Sequence, residues 1–234
     1  MATIAIITAR GGSKRIPHKN IMEFLGKPII AYSIEAALTC RIFDEVMVST
    51  DSLEIATIAR QFGAKVPFMR SEETSNDYAT TVDVIKEVLT EYKKMGKEFD
   101  RYCVIYATAP FVTGGKLDSA FQILEENGAD FLTPVTKCDQ PVFRSFYIDE
   151  NQKLKKRWPE YQNVRTQDLP VLYLDCGQFY IGDAKKIFTV PYDERNMVAM
   201  IIPTDEGQDI DTMQDWKIAE EKYRKMLEQK HEAE

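Results

Sequence analysis

Two aspartates stand two residues apart in the run Gln208-Asp209-Ile210-Asp211-Thr212. In an extended segment, residues i and i+2 point the same way, roughly 6–7 Å apart along the chain. Two carboxylates at that separation can hold a hard divalent cation, with water or phosphate oxygens completing its shell. The same residues also have a purely structural use, in which Asp211 caps the following helix and Asp209 is solvated. Far upstream lies Ala9-Arg10-Gly11-Gly12-Ser13-Lys14-Arg15-Ile16-Pro17-His18-Lys19-Asn20. It puts two glycines, a serine and four cations into one loop. Adjacent glycines let backbone amides approach a ligand closely, and successive amides form an anion-binding concavity. Arg and Lys add charge-assisted contacts of the kind phosphate prefers. Taken alone, this loop is also readable as a glycine turn with a solvated basic rim. The two segments explain each other if the ligand is a polyphosphate, which needs cationic donors on one side and Mg²⁺ (or Mn²⁺) on the other.

The loop is neither G-x-x-x-x-G-K-[ST] nor G-x-G-x-x-G, so neither a P-loop nor a dinucleotide fingerprint is present. Two further polar stretches stand out. Residues 70–81 run from Arg70 through Asp77 to Thr81, and either Asp77 or Thr80 suits the N-cap of the helix that follows. Residues 165–170 (RTQDLP) and 175–180 (DCGQFY) set hydrogen-bonding groups beside aromatics, which suits a polyhydroxylated ligand, although by composition they are simply polar loops.

Strands and helices alternate around these segments. Ile4–Ile7, Glu45–Thr50, Tyr102–Ala107 and Phe131–Thr136 are apolar enough for buried strands. The spacing predicts helices over Ile29–Leu38 (inner face Ile30, Ile34, Ala37, Leu38), Ser52–Phe62, Thr80–Lys93 and Leu117–Glu126. Lys65–Phe68 fits an edge element. Gln178–Ile181 and Val198–Ile202 return to the core. Asp211 or Thr212 caps a last helix from Met213 to about Gln229, with Trp216, Ala219, Tyr223 and Met226 or Leu227 inward. This βαβα order implies a three-layer αβα sheet, mostly parallel. The first loop then sits at the carboxyl end of the first strand, where open α/β sheets bind ligands. The rhythm breaks over residues 138–172, where short elements and aromatics suggest a projecting β-rich arm or lid on a single domain spanning 1–234.

Composition narrows the function classes. With 234 residues and 44% hydrophobic content the chain can bury one substantial core. A net charge of −7 argues against general nucleic-acid affinity. Residues 1–30 nevertheless set five cations against Glu23 alone, which suits a small anionic ligand. Four scattered cysteines without C-x-x-C predict reduced thiols rather than zinc or a disulfide framework. Arg10 interrupts the first apolar run too early for a signal peptide, and no stretch is long enough to span a bilayer. The expected location is the cytoplasm, with no membrane partner.

With these motifs in hand, the chain resembles the CMP-nonulosonic acid synthetases, cytidylyltransferases that activate nine-carbon 2-keto sugar acids. ARGGSKRIPHKN resembles their N-terminal signature. Arg70 with Asp77 and Thr81 resembles the cytidine-side motif, YATAPF at 106–111 the third motif, and QDIDT with Asp215-Trp216 the last. Thr8 and Ala107 stand where the family often has proline. Within the family, RTQDLP and DCGQFY are similar to the pseudaminic acid cytidylyltransferase branch, while CMP-sialic, CMP-legionaminic and CMP-Kdo synthetases are the neighbouring alternatives. A CTP-binding protein without chemistry is the alternative of a different class.

The resemblance implies a Rossmann-like fold of the nucleotide-diphospho-sugar-transferase type. It implies transfer of CMP from CTP to the sugar's anomeric hydroxyl with loss of pyrophosphate, for a bacterial surface glycan or flagellin. Arg10 with the Gly11, Gly12 and Ser13 amides would hold the triphosphate, and Lys14 and Lys19 would neutralise charge at the reacting phosphates. Asn20, Arg70, Asp77 and Thr81 would complete the CTP site. Asp209 and Asp211 would hold the metal, and Asp211 would help deprotonate the hydroxyl. Tyr106, Thr108, Arg165, Gln167, Tyr173, Gln178 and Phe179 would face the sugar. The arm would build a homodimer.

Overall fold

The apolar run near the N-terminus becomes a central strand because both of its faces are covered. The structure, a computed structural model, describes residues 1–140 and 142–233, with side chains described through residue 229. Its strands are β1 (Thr3–Thr8), β2 (Glu23–Phe24), β3 (Lys27–Pro28), β4 (Glu45–Ser49), β5 (Arg101–Tyr106), β6 (Phe131–Lys137), β7 (Phe146–Ile148), β8 (Leu154–Lys156), β9 (Tyr173–Asp175), β10 (Phe179–Asp183) and β11 (Met197–Ile202). Its helices are α1 (Ile29–Thr39), α2 (Leu53–Gln61), α3 (Glu72–Ser75), α4 (Thr81–Lys94), α5 (Gly114–Glu126), α6 (Lys186–Thr189) and α7 (Met213–Ala233).

The main sheet runs β11-β6-β10-β5-β1-β4, with β9 added beside β6. Strands β4, β1 and β5 are parallel, β11 is parallel to β6, β10 crosses antiparallel between β5 and β6, and β9 pairs antiparallel with β6. Helices α1, α2 and α5 supply one face, where Ile30, Ile34, Ile55, Leu117 and Leu124 pack on alternate residues of β1, β4 and β5. Helix α4 covers the other face through Ile85, Val88, Leu89 and Tyr92. The expected αβα layering therefore holds. The antiparallel β10 has a consequence for the site. It brings residues 177–178, at its start, to the same sheet edge as the ends of β1, β4, β5, β6 and β11.

Local chemistry sets the helix starts. Ser52 accepts from Ile55 N, Thr113 accepts from Lys116 N, and Thr80 with Asp83 forms a capping box. Each such cap contributes about 1 kcal/mol. Thr80, not Asp77, caps α4, and that leaves the Asp77 carboxylate free for other partners. Helix α5 begins at Gly114, three residues before the apolar pattern starts. Thr113 sets that start as N-cap, and close packing requires the glycine, because a Cβ at Gly114 would lie 2.7 Å from Thr39 Oγ1.

One periodicity expectation needs correction and two are met in part. Leu38 is exposed: in the last turn of α1 it is Ala36 and Ala37 that are buried in the core, and Leu38 lies on the outer side. Lys65–Phe68 makes only the Met47–Lys65 bridge beside β4. Strand β11 is an edge strand whose Met197 and Ile201 lie exposed, so only part of it enters the core.

Helix α7 packs back over the first loop. Trp216, Ala219, Tyr223 and Met226 meet Ile16, Phe24, Tyr32 and Phe111, while Leu227 is exposed. Phe24 makes edge-to-face contacts with Tyr32, Trp216 and Tyr223 at 5.5–5.7 Å. Such pairs add about 0.5–1.5 kcal/mol each beyond their burial. The basic loop and the aspartate loop are thus clamped by one aromatic cluster, with Ile210 fully buried in it.

Residues 138–172, apart from residue 141, are a run of short strands and 3-10 turns. Its β7–β8 hairpin exposes Phe146, Tyr147, Ile148 and Leu154. Arg144 organises the arm by donating to the Gln162 carbonyl at 2.8 Å and to the Val164 carbonyl. Phe143 stacks against Tyr161 at 4.4 Å. All four cysteines are free thiols, and Cys40, Cys103 and Cys176 are buried. No described helix is long and apolar enough to cross a membrane.

Candidate active site

A cleft of about 550 Å³ opens at the carboxyl ends of β1, β4 and β5. The basic loop leaves β1 at Ala9, whose amide bonds to the Ser49 carbonyl at 3.0 Å. Arg10, Ser13, Lys14, Arg15, Lys19 and Asn20 all line the cleft. Arg70, Asp77 and Thr81 line the opposite wall, and Tyr106 and Thr108 the floor. Residues separated by almost a hundred positions in the chain therefore meet in one concavity.

The loop is held more tightly than its glycines suggest. Gly11 N donates to Asp51 Oδ1 at 2.7 Å, and Ser13 N donates to the Gly11 carbonyl at 3.0 Å. Two of the three amides expected to face a triphosphate are thus already engaged in the loop's own bracing. Asn20, expected to read cytidine, is buried and donates to the Arg10 carbonyl at 2.8 Å. The left-handed residue of the loop is His18, at φ 53°, not either glycine.

Charge in the cleft is paired internally. Asp77 accepts from Arg10 Nη1 at 3.0 Å and also pairs with Lys14. Those two cations hold its carboxyl below the usual aspartate range, Lys14 being the larger influence. An acid so placed cannot itself bind phosphate. It orders the cations that could. Arg70 is 8% exposed, and its guanidinium bonds to Ser49 Oγ at 3.0 Å and the Ser49 carbonyl at 2.6 Å. Burial pulls its pKa down to about 10, with Asp51 and Glu87 opposing. Thr81 Oγ1 and the Tyr106 hydroxyl lie 3.0 Å apart and fasten the start of α4 to the cleft floor.

The two loops meet through Lys19. Its Nζ donates to the Ile210 carbonyl at 2.7 Å and lies 3.6 Å from Asp211 Oδ1. Burial lowers the Lys19 pKa, and Asp211 and Asp209 resist that shift. Arg15, which the sequence pattern left without a role, donates to Asp211 at 2.7 Å. Its signal was present in the basic run, but nothing in the run distinguishes it from its neighbours.

The Asp211 alternative resolves here. Thr212 caps α7, because Asp215 N donates to Thr212 Oγ1 at 3.2 Å and Asp215 accepts from Thr212 N at 2.7 Å. The Asp211 side chain is released to face the cations. Asp209 has its pKa raised, first by burial and then by Asp211. A half-buried carboxylate beside a second one is a hard-oxygen donor set that a divalent cation would suit. Among the described residues no group of three or more His, Cys, Asp or Glu side chains could hold a metal ion. Any metal here would need phosphate or water oxygens beyond the aspartate pair.

The expected sugar residues divide. Tyr106 and Thr108 line the cleft. Gln178 and Phe179 are fully buried and cannot touch a ligand: Phe179 lies in the core under α1 and α5, and the Gln178 amide donates to the Glu206 carbonyl. Arg165 is exposed on the arm and pairs with Asp168 at 2.7 Å, while Gln167 lines a separate arm cavity of about 320 Å³. Tyr173 sits half-exposed on β9 beside Lys137. None of these three lines the nucleotide-sized cleft of this chain.

The pattern of a cytidylyltransferase matches residues 4–231. This chain belongs to the cytidylyltransferase family. It is similar to a pseudaminic acid cytidylyltransferase of Campylobacter jejuni subsp. jejuni serotype O:23/36 (strain 81-176), with 39% identity covering 96% of this chain and 97% of that protein. It is 31% identical to a CMP-N,N'-diacetyllegionaminic acid synthase of Legionella pneumophila, covering 100% of this chain and 99% of that one. Among solved structures, a CMP:2-keto-3-deoxy-manno-octonic acid synthetase complexed with CTP superposes with a TM-score of 0.69 at 19% identity, over 98% of this chain and 100% of the other. That likeness confirms the fold.

Proposed function

We propose that this cytidylyltransferase transfers CMP from CTP to the anomeric hydroxyl of pseudaminic acid, releasing pyrophosphate. The observation that carries the reading is the meeting of Lys19 with the Asp211 loop at the mouth of a cleft lined by Arg10, Lys14 and Arg15. The hydroxyl oxygen attacks the α-phosphorus, the new O–P bond forms in line, and the bond to the bridging oxygen of pyrophosphate breaks. The hydroxyl proton passes to a carboxylate, for which Asp211 is the candidate. No protein nucleophile is required, so catalysis is positioning and charge neutralisation.

Arg10 and Lys14 turn from Asp77 to the triphosphate, and Lys19 faces the charge that develops at the α-phosphate and leaving group. Arg70 and Asn20 support this arrangement indirectly, through the loops they brace, Asp77 is the acid that the triphosphate displaces from Arg10 and Lys14, and Thr81 and Tyr106 form the nucleoside end. Asp209 and Asp211 are the residues that would hold Mg²⁺ or Mn²⁺, which supplies Lewis-acid neutralisation of phosphate charge when bound. The exposed apolar hairpin of the arm suits a homodimer, and through it Arg165, Gln167 and Tyr173 would reach sugar in an assembled site. The reaction belongs in the cytoplasm, where CTP is available. Pyrophosphate release with CTP and a panel of pseudaminic, legionaminic, N-acetylneuraminic and Kdo acids tests the reading. Fastest turnover with pseudaminic acid is expected, and preference for another acid overturns the choice of sugar.

A further inference from the structure

Gln178 is completely buried, yet its amide is only half used. Nε2 donates to the Glu206 carbonyl, while Oε1 has no hydrogen-bond partner among the described residues. A leucine would fill that volume without burying an unpaired polar atom. The amide must therefore be judged by what it holds. Glu206 begins the segment that leads directly into Asp209. Its side chain pairs with Lys116, and Lys116 Nζ also donates to the Phe111 carbonyl at 2.7 Å, in the loop after β5. The Gln178 backbone carbonyl accepts from Tyr106 N at 2.9 Å, at the cleft floor. One residue upstream, Gly177 has φ +60°, and a Cβ there would lie 3.1 Å from Asp209 Cγ and 3.3 Å from both carboxylate oxygens. Asp209 thus rests directly on the glycine, with its loop tied on either side.

We propose that Gly177, Gln178 and the Lys116–Glu206 pair are positioning residues for the Asp209 carboxylate, and that divalent-metal affinity depends on them. None of them needs to touch substrate. They act by fixing where one donor of the aspartate pair points, as outer-shell partners do in metal sites generally. The inference rests on the proposed metal role of Asp209 and Asp211.

Mn²⁺ binding to the full chain, followed by electron paramagnetic resonance of the free ion with CTP present, separates the two ideas. Gln178→Leu and Gly177→Ala are expected to weaken Mn²⁺ binding about 10-fold. The Mg²⁺ concentration for half-maximal activity should rise in parallel, while CTP affinity in EDTA stays unchanged. Lys116→Met, at a partly exposed position that a folded variant should tolerate, should give the same shift, and Lys116→Arg should restore it. Folded variants with wild-type Mn²⁺ affinity overturn the positioning role, as does an equal loss of metal-free CTP binding. The parent reading fails separately, if Asp209→Ala/Asp211→Ala binds Mn²⁺ as the wild type does.

Discussion

The Asp77 carboxylate lies 3.0 Å from Arg10 Nη1 and at the same time pairs with Lys14. Two cations that would face a triphosphate are thus held by an acid of the α3–α4 loop. Any polyphosphate must displace that acid. Asp77→Asn is expected to tighten CTP binding in EDTA by about 3- to 10-fold, because the competitor is gone and exposed charge pairs are individually weak. Isothermal titration checks it. Weaker binding by Asp77→Asn would show that Asp77 serves the ligand rather than competing with it.

Lys19 has a different position, half-buried between the two loops. It bonds to the Ile210 carbonyl and faces Asp211. If it stabilises charge that appears only as the α-phosphate reacts, Lys19→Ala should lower kcat by about 10²–10³-fold and change CTP affinity far less. Steady-state kinetics beside direct CTP titration separate the two. Equal losses in both would assign Lys19 to ground-state binding.

Much of this was legible in the chain. The apolar run Ile4–Ile7 marked the strand that carries the basic loop, and YATAPF marked a turn at the cleft, because period and turn chemistry are local properties. What was not legible depended on tertiary pairing. Whether Asp211 or Thr212 caps α7 is decided by which side chain the cations claim. Gln178 and Phe179 looked polar-aromatic and ligand-facing, but Phe179 at the start of β10 and Gln178 just before it are both buried. Nothing in RTQDLP says that Arg165 and Gln167 lie out on the arm, since a projecting hairpin sets no distance from its own cleft.

The arm gives an assembly prediction. Ile148 and Leu154 are paired across the β7–β8 hairpin and are both exposed. Ile148→Asp with Leu154→Lys should convert a dimer to a monomer in light scattering while leaving the far-ultraviolet circular dichroism unchanged. A wild-type monomer at working concentration would remove the arm's proposed role.

Glu45 offers a stability prediction with a defined pH sign. It is 5% exposed at the start of β4, where it meets Lys65 at 3.0 Å, Lys97 at 3.2 Å and the Tyr92 hydroxyl at 3.1 Å. Burial alone would raise its pKa, but the bonds from Lys65, Lys97 and Tyr92 outweigh it and leave the carboxyl below its ordinary 4.5. A carboxyl with a depressed folded pKa contributes stability that is present above the unfolded value and lost as pH falls through the folded one. Glu45→Gln should therefore cost about 1–3 kcal/mol at neutral pH, the scale for weakening a buried charge-assisted hydrogen-bond set. The difference from wild type should start to shrink as pH drops below 4.5 and close below the folded value. Urea unfolding at a series of pH values measures it. A gap that is independent of pH would mean that packing against Tyr92, not the ionised carboxylate, stabilises this corner of the sheet.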